Sequence, residues 1–343
     1  MTPGRDWGPT LLASWQRPQP DALARALQPL SWLYRALAAG QRALFASGLR
    51  ARERAPRPLI VVGNLLVGGA GKTPTVIALV ALLRQLGYTP GVVSRGYGRA
   101  DHAARIVDAA SGADQVGDEP LLIHLRTRAP VAVAAHRIDA ARLLCQAHPE
   151  LDVLVADDGL QHHALARDAQ LIVFDERGVG NGLLLPAGPL REPLPRTLPK
   201  HTLVIYNAPR PTTALPGFVA SCSLTGVVTL SGWWQGQRAE PQGWHALRGH
   251  RVVACAGTAV PQRFFAMLQA QGLDFEPLAM PDHADYSRLP WPDDTHDVVL
   301  TEKDAVKIRP ERIGRTQVWV APLDFAFDDA VGLALKGWLP SPT

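Results

Sequence analysis

Cysteine is scarce in this chain, with three residues, Cys145, Cys222 and Cys255, among 343. They are far apart and fall in no ligand-like spacing, which excludes a disulfide framework or thiolate metal site and fits buried thiols in a reducing compartment. Charge is also thin, at 19% of residues against 47% hydrophobic. That balance excludes a disordered chain. Long apolar runs are missing: no uncharged stretch approaches the roughly 20 residues that span a bilayer. The N-terminus carries no basic patch followed by an apolar core and a small-residue cleavage site. The expectation is a cytosolic protein, or one lying on a membrane without crossing it. A net charge of +4 suits an anionic substrate or a membrane surface. No basic run with interleaved aromatics appears, so nucleic acid is not an expected partner. Internal repeats and low-complexity tracts are absent.

What is present begins at Leu59. The apolar run Leu59-Ile60-Val61-Val62 stops at a glycine-rich turn, and Gly71-Lys72-Thr73-Pro74 opens a helical pattern. This is the layout of a phosphate-binding loop. Backbone N–H groups of Gly68, Gly69, Ala70 and Gly71, with the helix N-terminus, would wrap a polyphosphate. Lys72 would neutralise its outer charge and the Thr73 hydroxyl would ligate Mg²⁺. The alternative is a glycine-rich turn with a surface lysine. The usual pattern has glycine five residues before the Gly-Lys pair, where this chain has Leu66. Gly68 and Gly69 supply the flexibility, so the loop is a variant.

Residues 1–55 read as helical. Leu33, Leu37 and Leu44 share a face with Phe45 alongside, aromatic Trp7, Trp15, Trp32 and Tyr34 are interspersed, and Arg50, Arg52, Arg54 and Arg57 follow. Pattern alone leaves two readings, an amphipathic helix on the protein's own core and an in-plane membrane helix. From 56 to 205 short apolar strands alternate with helices, which predicts an α/β fold with a mostly parallel sheet covered on both faces. In such sheets ligands gather at the carboxyl ends of strands. The proline-dense stretch from Pro186 to Pro216 reads as a connector, with a linker at 206–225, and 226–343 as a smaller α/β domain.

Polar motifs sit at the expected strand ends. Val153-Leu154-Val155-Ala156 runs into Asp157 and Asp158, the pattern that places a carboxylate near Mg²⁺ in phosphate-loop enzymes. Asp157 is the first choice for the metal, and Asp158 would serve substrate or metal. His162 and His163 read as structural. Gly117-Asp118-Glu119-Pro120 puts two acids at a turn; Asp118 is a candidate base and Glu119 a candidate for the Mg²⁺ shell, against a solvated acidic turn. His283, in Pro281-Asp282-His283-Ala284-Asp285-Tyr286, would orient a carboxylate or simply lie on the surface. Arg95, Arg99 and Arg191 are candidate phosphate clamps. Thr301-Glu302-Lys303-Asp304 is a faint echo of a guanine-reading loop.

In this order the motifs resemble the tetraacyldisaccharide 4′-kinases, the lipid A 4′-kinases of Gram-negative bacteria. The matching segments are Gly63-Asn64 through Pro74, Ser94 to Arg99, Gly117 to Pro120, Asp157 to His162, Leu185 to Glu192, Pro281 to His283 and Thr301 to Asp304. They cover roughly residues 30–310, and Leu66 agrees with that family's form of the loop. Ala259 and Leu160 depart from it without touching the proposed chemistry. The resemblance implies a P-loop kinase that uses ATP and Mg²⁺ to phosphorylate the 4′-hydroxyl of a lipid A disaccharide 1-phosphate precursor. It also implies peripheral attachment to the cytoplasmic face of the inner membrane, which tips the N-terminal helix toward membrane contact. On the matched positions, Lys72 would hold the β- and γ-phosphates and Thr73 would ligate Mg²⁺, with Asp157 and Glu119 near the metal. Asp118 would take the hydroxyl proton, assisted by His283. A nucleotide-switch GTPase or ATPase acting on a protein partner is the rival reading. A soluble small-molecule kinase leaves the amphipathic N-terminus unexplained.

Overall fold

The computed structural model describes residues 7–99, 101–282 and 284–342; His283 lies outside them. Two helices, α1 (Trp7–Trp15) and α2 (Ala22–Ala46), precede β1 (Leu59–Gly63), α3 (Lys72–Gln85), β2 (Pro90–Ser94) and β3 (Arg105–Val107). Next come α4 (Ala113–Val116), α5 (Asp118–Thr127), β4 (Val131–Val133), α6 (Arg137–Ala147), β5 (Val153–Ala156), β6 (Ala169–Asp175) and β7 (Thr202–Asn207). They are followed by β8 (Phe218–Val219), β9 (Ser221–Ser223), β10 (Val228–Thr229), α7 (Leu230–Trp234), α8 (Gly243–Leu247), β11 (Val252–Ala256) and α9 (Pro261–Ala270). The last elements are β12 (Phe275–Ala279), β13 (Asp297–Thr301), α10 (Glu302–Ala305), β14 (Gln317–Ala321), β15 (Asp324–Ala326) and α11 (Asp329–Trp338).

These elements group into two units, each assembled from segments distant in the chain. The first takes residues up to 72, 156–220 and 327–341; the second takes 73–155, 221–326 and 342. The consecutive blocks expected from the sequence do not describe this grouping.

In the first unit the strands run β1-β6-β7-β8, each pair parallel. Every residue of β1 is buried. A parallel strand covered on both faces has no polar side, which is why it reads as an unbroken apolar run. Because β1 and β6 run together with Gly63 opposite Ile172, the turns after Gly63 and Asp175 emerge at one edge. The supposed connector contains β7, all six residues of which are buried. Pro199 and Pro209 flank it and disguise the run Thr202-Leu203-Val204-Ile205-Tyr206 between them. The stretch 206–225 likewise carries β8 and β9.

The second unit has strands in the order β3-β4-β2-β5, with β2 and β4 parallel and β3 antiparallel, and a separate sheet β10-β14-β13-β11-β12. That second sheet is parallel except for β10. Val76, Leu79, Val80 and Leu83 of α3 recur at helical spacing and are buried. Gly87, at φ +93°, ends that helix in the left-handed conformation, and the Tyr88 N–H closes on the Leu83 carbonyl at 3.0 Å.

Helix α2 is inverted relative to an ordinary surface helix. Leu33 and Leu37 are 58% and 67% exposed, Leu30, Trp32 and Leu44 are exposed with them, and the buried positions are Ala24 and Ser31. Among the described residues no helix is long and apolar enough to cross a membrane. The three cysteines are free thiols; only Cys255 is buried, and burial pushes its pKa up to about 12.

Candidate active site

In the first unit the chain leaves β1 into Asn64, which is buried and donates from Nδ2 to the Gly68 carbonyl at 3.0 Å. Gly68 and Gly71 have φ of +92° and +84°, a region that penalises any side chain. A Cβ on Gly71 would also collide with the Asn207 amide. Arg177 Nη2 donates to the Gly69 carbonyl at 2.7 Å while pairing with Asp175 at 2.8 Å, and Asn207 Nδ2 reaches the Ala70 carbonyl at 3.4 Å. Donors from the ends of β1, β6 and β7 thus hold the loop by its carbonyl oxygens.

Lys72 follows at 7% exposure, with Nζ 3.5 Å from the Gly68 carbonyl and 3.7 Å from Asp158 Oδ1. Asp158 adopts a left-handed φ of +46°, so it turns away from the buried Asp157. Arg191 Nη1 lies 3.6 Å from Asp158 Oδ2 and 3.3 Å from Gln161 Oε1, while Gln161 Nε2 donates to the Asn64 carbonyl at 3.2 Å. The structure therefore brings Lys72, Asp158 and Arg191 together, with Asp158 between the two cations.

The loop bearing Arg191 is stapled to the phosphate loop. Arg191 N–H donates to the Leu65 carbonyl at 2.7 Å, and Val67 N–H to the Pro189 carbonyl at 2.9 Å. Its other side is carried by α1 and α2. The Ser31 hydroxyl donates to the Leu184 carbonyl at 2.8 Å, Tyr34 to Arg191 at 2.8 Å and Trp15 Nε1 to Pro186 at 3.0 Å. This explains the inversion of α2: its small and polar residues face the protein, and its leucines are left outside.

His163 lies partly buried beside Glu192. Burial, with help from Arg167 and Arg42, pushes its pKa down to about 4. Its 3.9 Å approach to Glu192 is therefore a contact of a neutral imidazole at pH 7, not an ion pair.

The second unit holds the other candidates. Asp118 and Glu119 occupy the first turn of α5, where the helix dipole favours carboxylates. The preceding Gly117 has φ +92° and packs on the Gly96 turn, with room for a Cβ only 3.1 Å from Gly96 Cα. That packing sets the Ser94–Arg99 segment beside the start of α5. Arg95 is exposed. Arg99 is 6% exposed, donates from Nη1 to the Ala103 carbonyl at 2.7 Å, and keeps Nε and Nη2 buried with no partner among the described residues. Lys307 Nζ stands 3.4 Å from Asp118 Oδ2.

The Thr301–Asp304 segment is a brace and not a base-reading loop. Asp304 accepts from the Thr301 hydroxyl at 2.6 Å, the Tyr286 hydroxyl at 2.8 Å and the Gly257 N–H at 3.0 Å. Glu302 accepts from Arg126 at 2.9 Å and Trp233 Nε1 at 2.9 Å. Asn64 enters the sequence reading only as part of the loop motif, and three participants go unnamed in it: Arg177, Asn207 and Lys307. Arg177 and Asn207 follow or end strands, the one signal that could have drawn attention to them.

The family described as tetraacyldisaccharide-1-P 4′-kinase matches residues 23–339. A tetraacyldisaccharide 4′-kinase of Methylibium petroleiphilum is 53% identical over 330 residues, covering 95% of this chain and 92% of the relative. That of Leptothrix cholodnii is 50% identical over 333 residues, covering 96% and 95%. A crystal structure of "apo" form LpxK from Aquifex aeolicus in complex with ATP is 25% identical and has a TM-score of 0.77, covering 93% of this chain and 100% of that one.

Two outcomes follow from this geometry. Gly71→Ala should raise the Kd for ATP about tenfold or more in a titration, because the loop must give up its left-handed turn or displace Asn207. Since His163 has a folded pKa of about 4 against an ordinary 6.5, the unfolded chain binds the extra proton between those values. Stability should fall as pH drops through that window, and His163→Gln should flatten the melting midpoint across it.

Proposed function

The chain belongs to the tetraacyldisaccharide-1-P 4′-kinase family, and from that premise we propose how its residues carry the reaction. The activity is ATP-dependent phosphorylation of the 4′-hydroxyl of a tetraacyldisaccharide 1-phosphate in lipid A biosynthesis. The glycine cradle from Gly68 to Gly71 receives the phosphates, with Thr73 and Pro74 opening the helix behind it. Lys72 leaves its contact with Asp158 to neutralise the β- and γ-phosphates.

Mg²⁺ fits the donors available. The Thr73 hydroxyl and the carboxylates of Asp157, Asp158 and Glu119 are hard oxygen ligands of the kind it takes. Bound there, it would spread charge on the transferring group. Asp118 accepts the proton of the sugar hydroxyl, and His283 orients it. A carboxylate is a weak base, but a loose phosphoryl-transfer transition state demands placement more than proton affinity. Arg95, Arg99 and Arg191 meet the anionic groups of the substrate. The two nitrogens of Arg99 that are buried without a partner among the described residues favour such a role.

The lipid acceptor fixes the location. Each buried CH₂ holds a chain in the bilayer by about 0.8 kcal/mol, so a multiply acylated substrate stays there and the enzyme comes to it. The outward leucine stripe of α2 is the surface for that contact, at the cytoplasmic face of the inner membrane. The nucleotide-switch reading loses one of its two supports, the Thr301–Asp304 echo, because Asp304 is consumed by three internal hydrogen bonds.

The observation that carries this reading is the lock of Lys72, Asp158 and Arg191 around the phosphate loop. With labelled ATP, Mg²⁺ and a lipid A disaccharide 1-phosphate, label should enter the lipid, and Asp118→Ala should cut kcat by about a hundredfold or more while KM for ATP changes under threefold. ATP consumption that ignores the acceptor would count against it. Leu33→Ser with Leu37→Ser should weaken sedimentation with anionic vesicles severalfold, leaving turnover on detergent-dispersed acceptor within about twofold.

A further inference from the structure

One cation in the second unit is left without a role by the reading above. Lys307 lies just beyond α10, its backbone N–H bonded to the Asp304 carbonyl at 3.0 Å. Its side chain is only 9% exposed and spans two segments. Nζ is 3.4 Å from Asp118 Oδ2 and donates to the Ala284 carbonyl at 3.1 Å, and it lies 5.6 Å from the centre of the Tyr286 ring. Tyr286 is itself tied to Asp304.

The far end of α5 is held by the same motif. Arg126, in its last turn, pairs with Glu302 at 2.9 Å and with Asp324 at 3.4 Å. The segment from Glu302 to Lys307 thus grips α5 at both ends. The Arg126 end is a partly buried brace centred on the buried Glu302. The Lys307 end touches a carboxylate at the mouth of the helix.

We propose that Lys307 is a positioning residue for phosphoryl transfer: its ammonium holds the Asp118 carboxylate in place and ties it to the backbone at Ala284. The proposal rests on the assignment of Asp118 as the proton acceptor. Lysine suits the task because its compact head offers three donors in different directions, so one group serves a carboxylate and a carbonyl at once. Transfer is sensitive to such placement, since an error of about 1 Å in a reacting group costs about a hundredfold in rate.

The test is steady-state kinetics of the full-length enzyme with ATP, Mg²⁺ and the lipid acceptor. Lys307→Met keeps the aliphatic stem over Tyr286 and removes the charge. It should lower kcat about 10- to 100-fold, with KM for ATP and for lipid changed less than about threefold. Lys307→Arg should recover most of the loss, which a packing defect would not predict. In the Asp118→Ala background Lys307→Met should add less than about twofold, because the group it positions is already gone. Lys307→Gln is read in the same way and stands in if the Met variant does not fold. Parental kcat in Lys307→Met and Lys307→Gln, or a raised KM for ATP with kcat intact, overturns the proposal. So does a full multiplicative loss in the double variant. Parental turnover in Asp118→Ala alone would remove the proton-acceptor assignment and Lys307's role with it. A dead Asp118→Ala beside an active Lys307→Met would remove only the latter.

Discussion

A lysine ammonium at 7% exposure has to find negative charge nearby, and at the end of the phosphate loop it finds Asp158. Unpaired burial of such a charge would cost several kcal/mol. Much of the first unit can be read as the means of presenting that carboxylate. Asp158 takes a left-handed φ so that it turns toward Lys72 while its neighbour Asp157 stays buried. Arg191 balances it from the other side, and main-chain bonds to Leu65 and Val67 fix the Arg191 loop against the phosphate loop. A triphosphate entering the loop would compete with Asp158 for Lys72, and the resting contact at 3.7 Å places the ammonium without a strong bond to break.

The second unit solves a different problem with the same economy. A helix start that offers two adjacent carboxylates is repelled by itself and needs fixed cations or a dipole to hold it. Here the helix N-terminus of α5 and Lys307 do so together. The buried acids of the Thr301–Asp304 segment do not face a ligand. Asp304 organises the Gly257 turn and Tyr286, and Glu302 is neutralised by Arg126. Burial pushes the Glu302 carboxyl up while Arg126 works against that shift. A motif that looks like a reader of bases is a splint for the helix that begins with Asp118 and Glu119.

Helix α2 has two sides of different character. One side donates hydrogen bonds from Ser31 and Tyr34 to the loop that carries Arg191. The opposite side presents Leu30, Leu33, Leu37 and Leu44 outward. Were both sides apolar, the helix would bury itself; were both polar, it would have no affinity for acyl chains. The division lets one helix brace the Arg191 loop with its polar side while its leucines stay exposed.

The run into Gly63, the glycine turn, Lys72-Thr73 and the acids after β5 were legible because each is a local pattern whose period and residue types dictate its conformation. The parallel architecture followed from apolar strands spaced by helices. β7 was hidden because flanking prolines signal a loop, whereas parallel pairing with β6 decides its state. Arg177 and Asn207 carry no signature beyond their place at strand ends, and Lys307 none; they matter through partners far away in the chain. Which face of α2 turned inward was also open, since its leucine stripe fits a core as well as a membrane. Sequence determines what a short segment does against its own backbone and solvent. The neighbours of each side chain, and hence which charge meets which, exist only once distant segments pack, and that was decided by the tertiary structure.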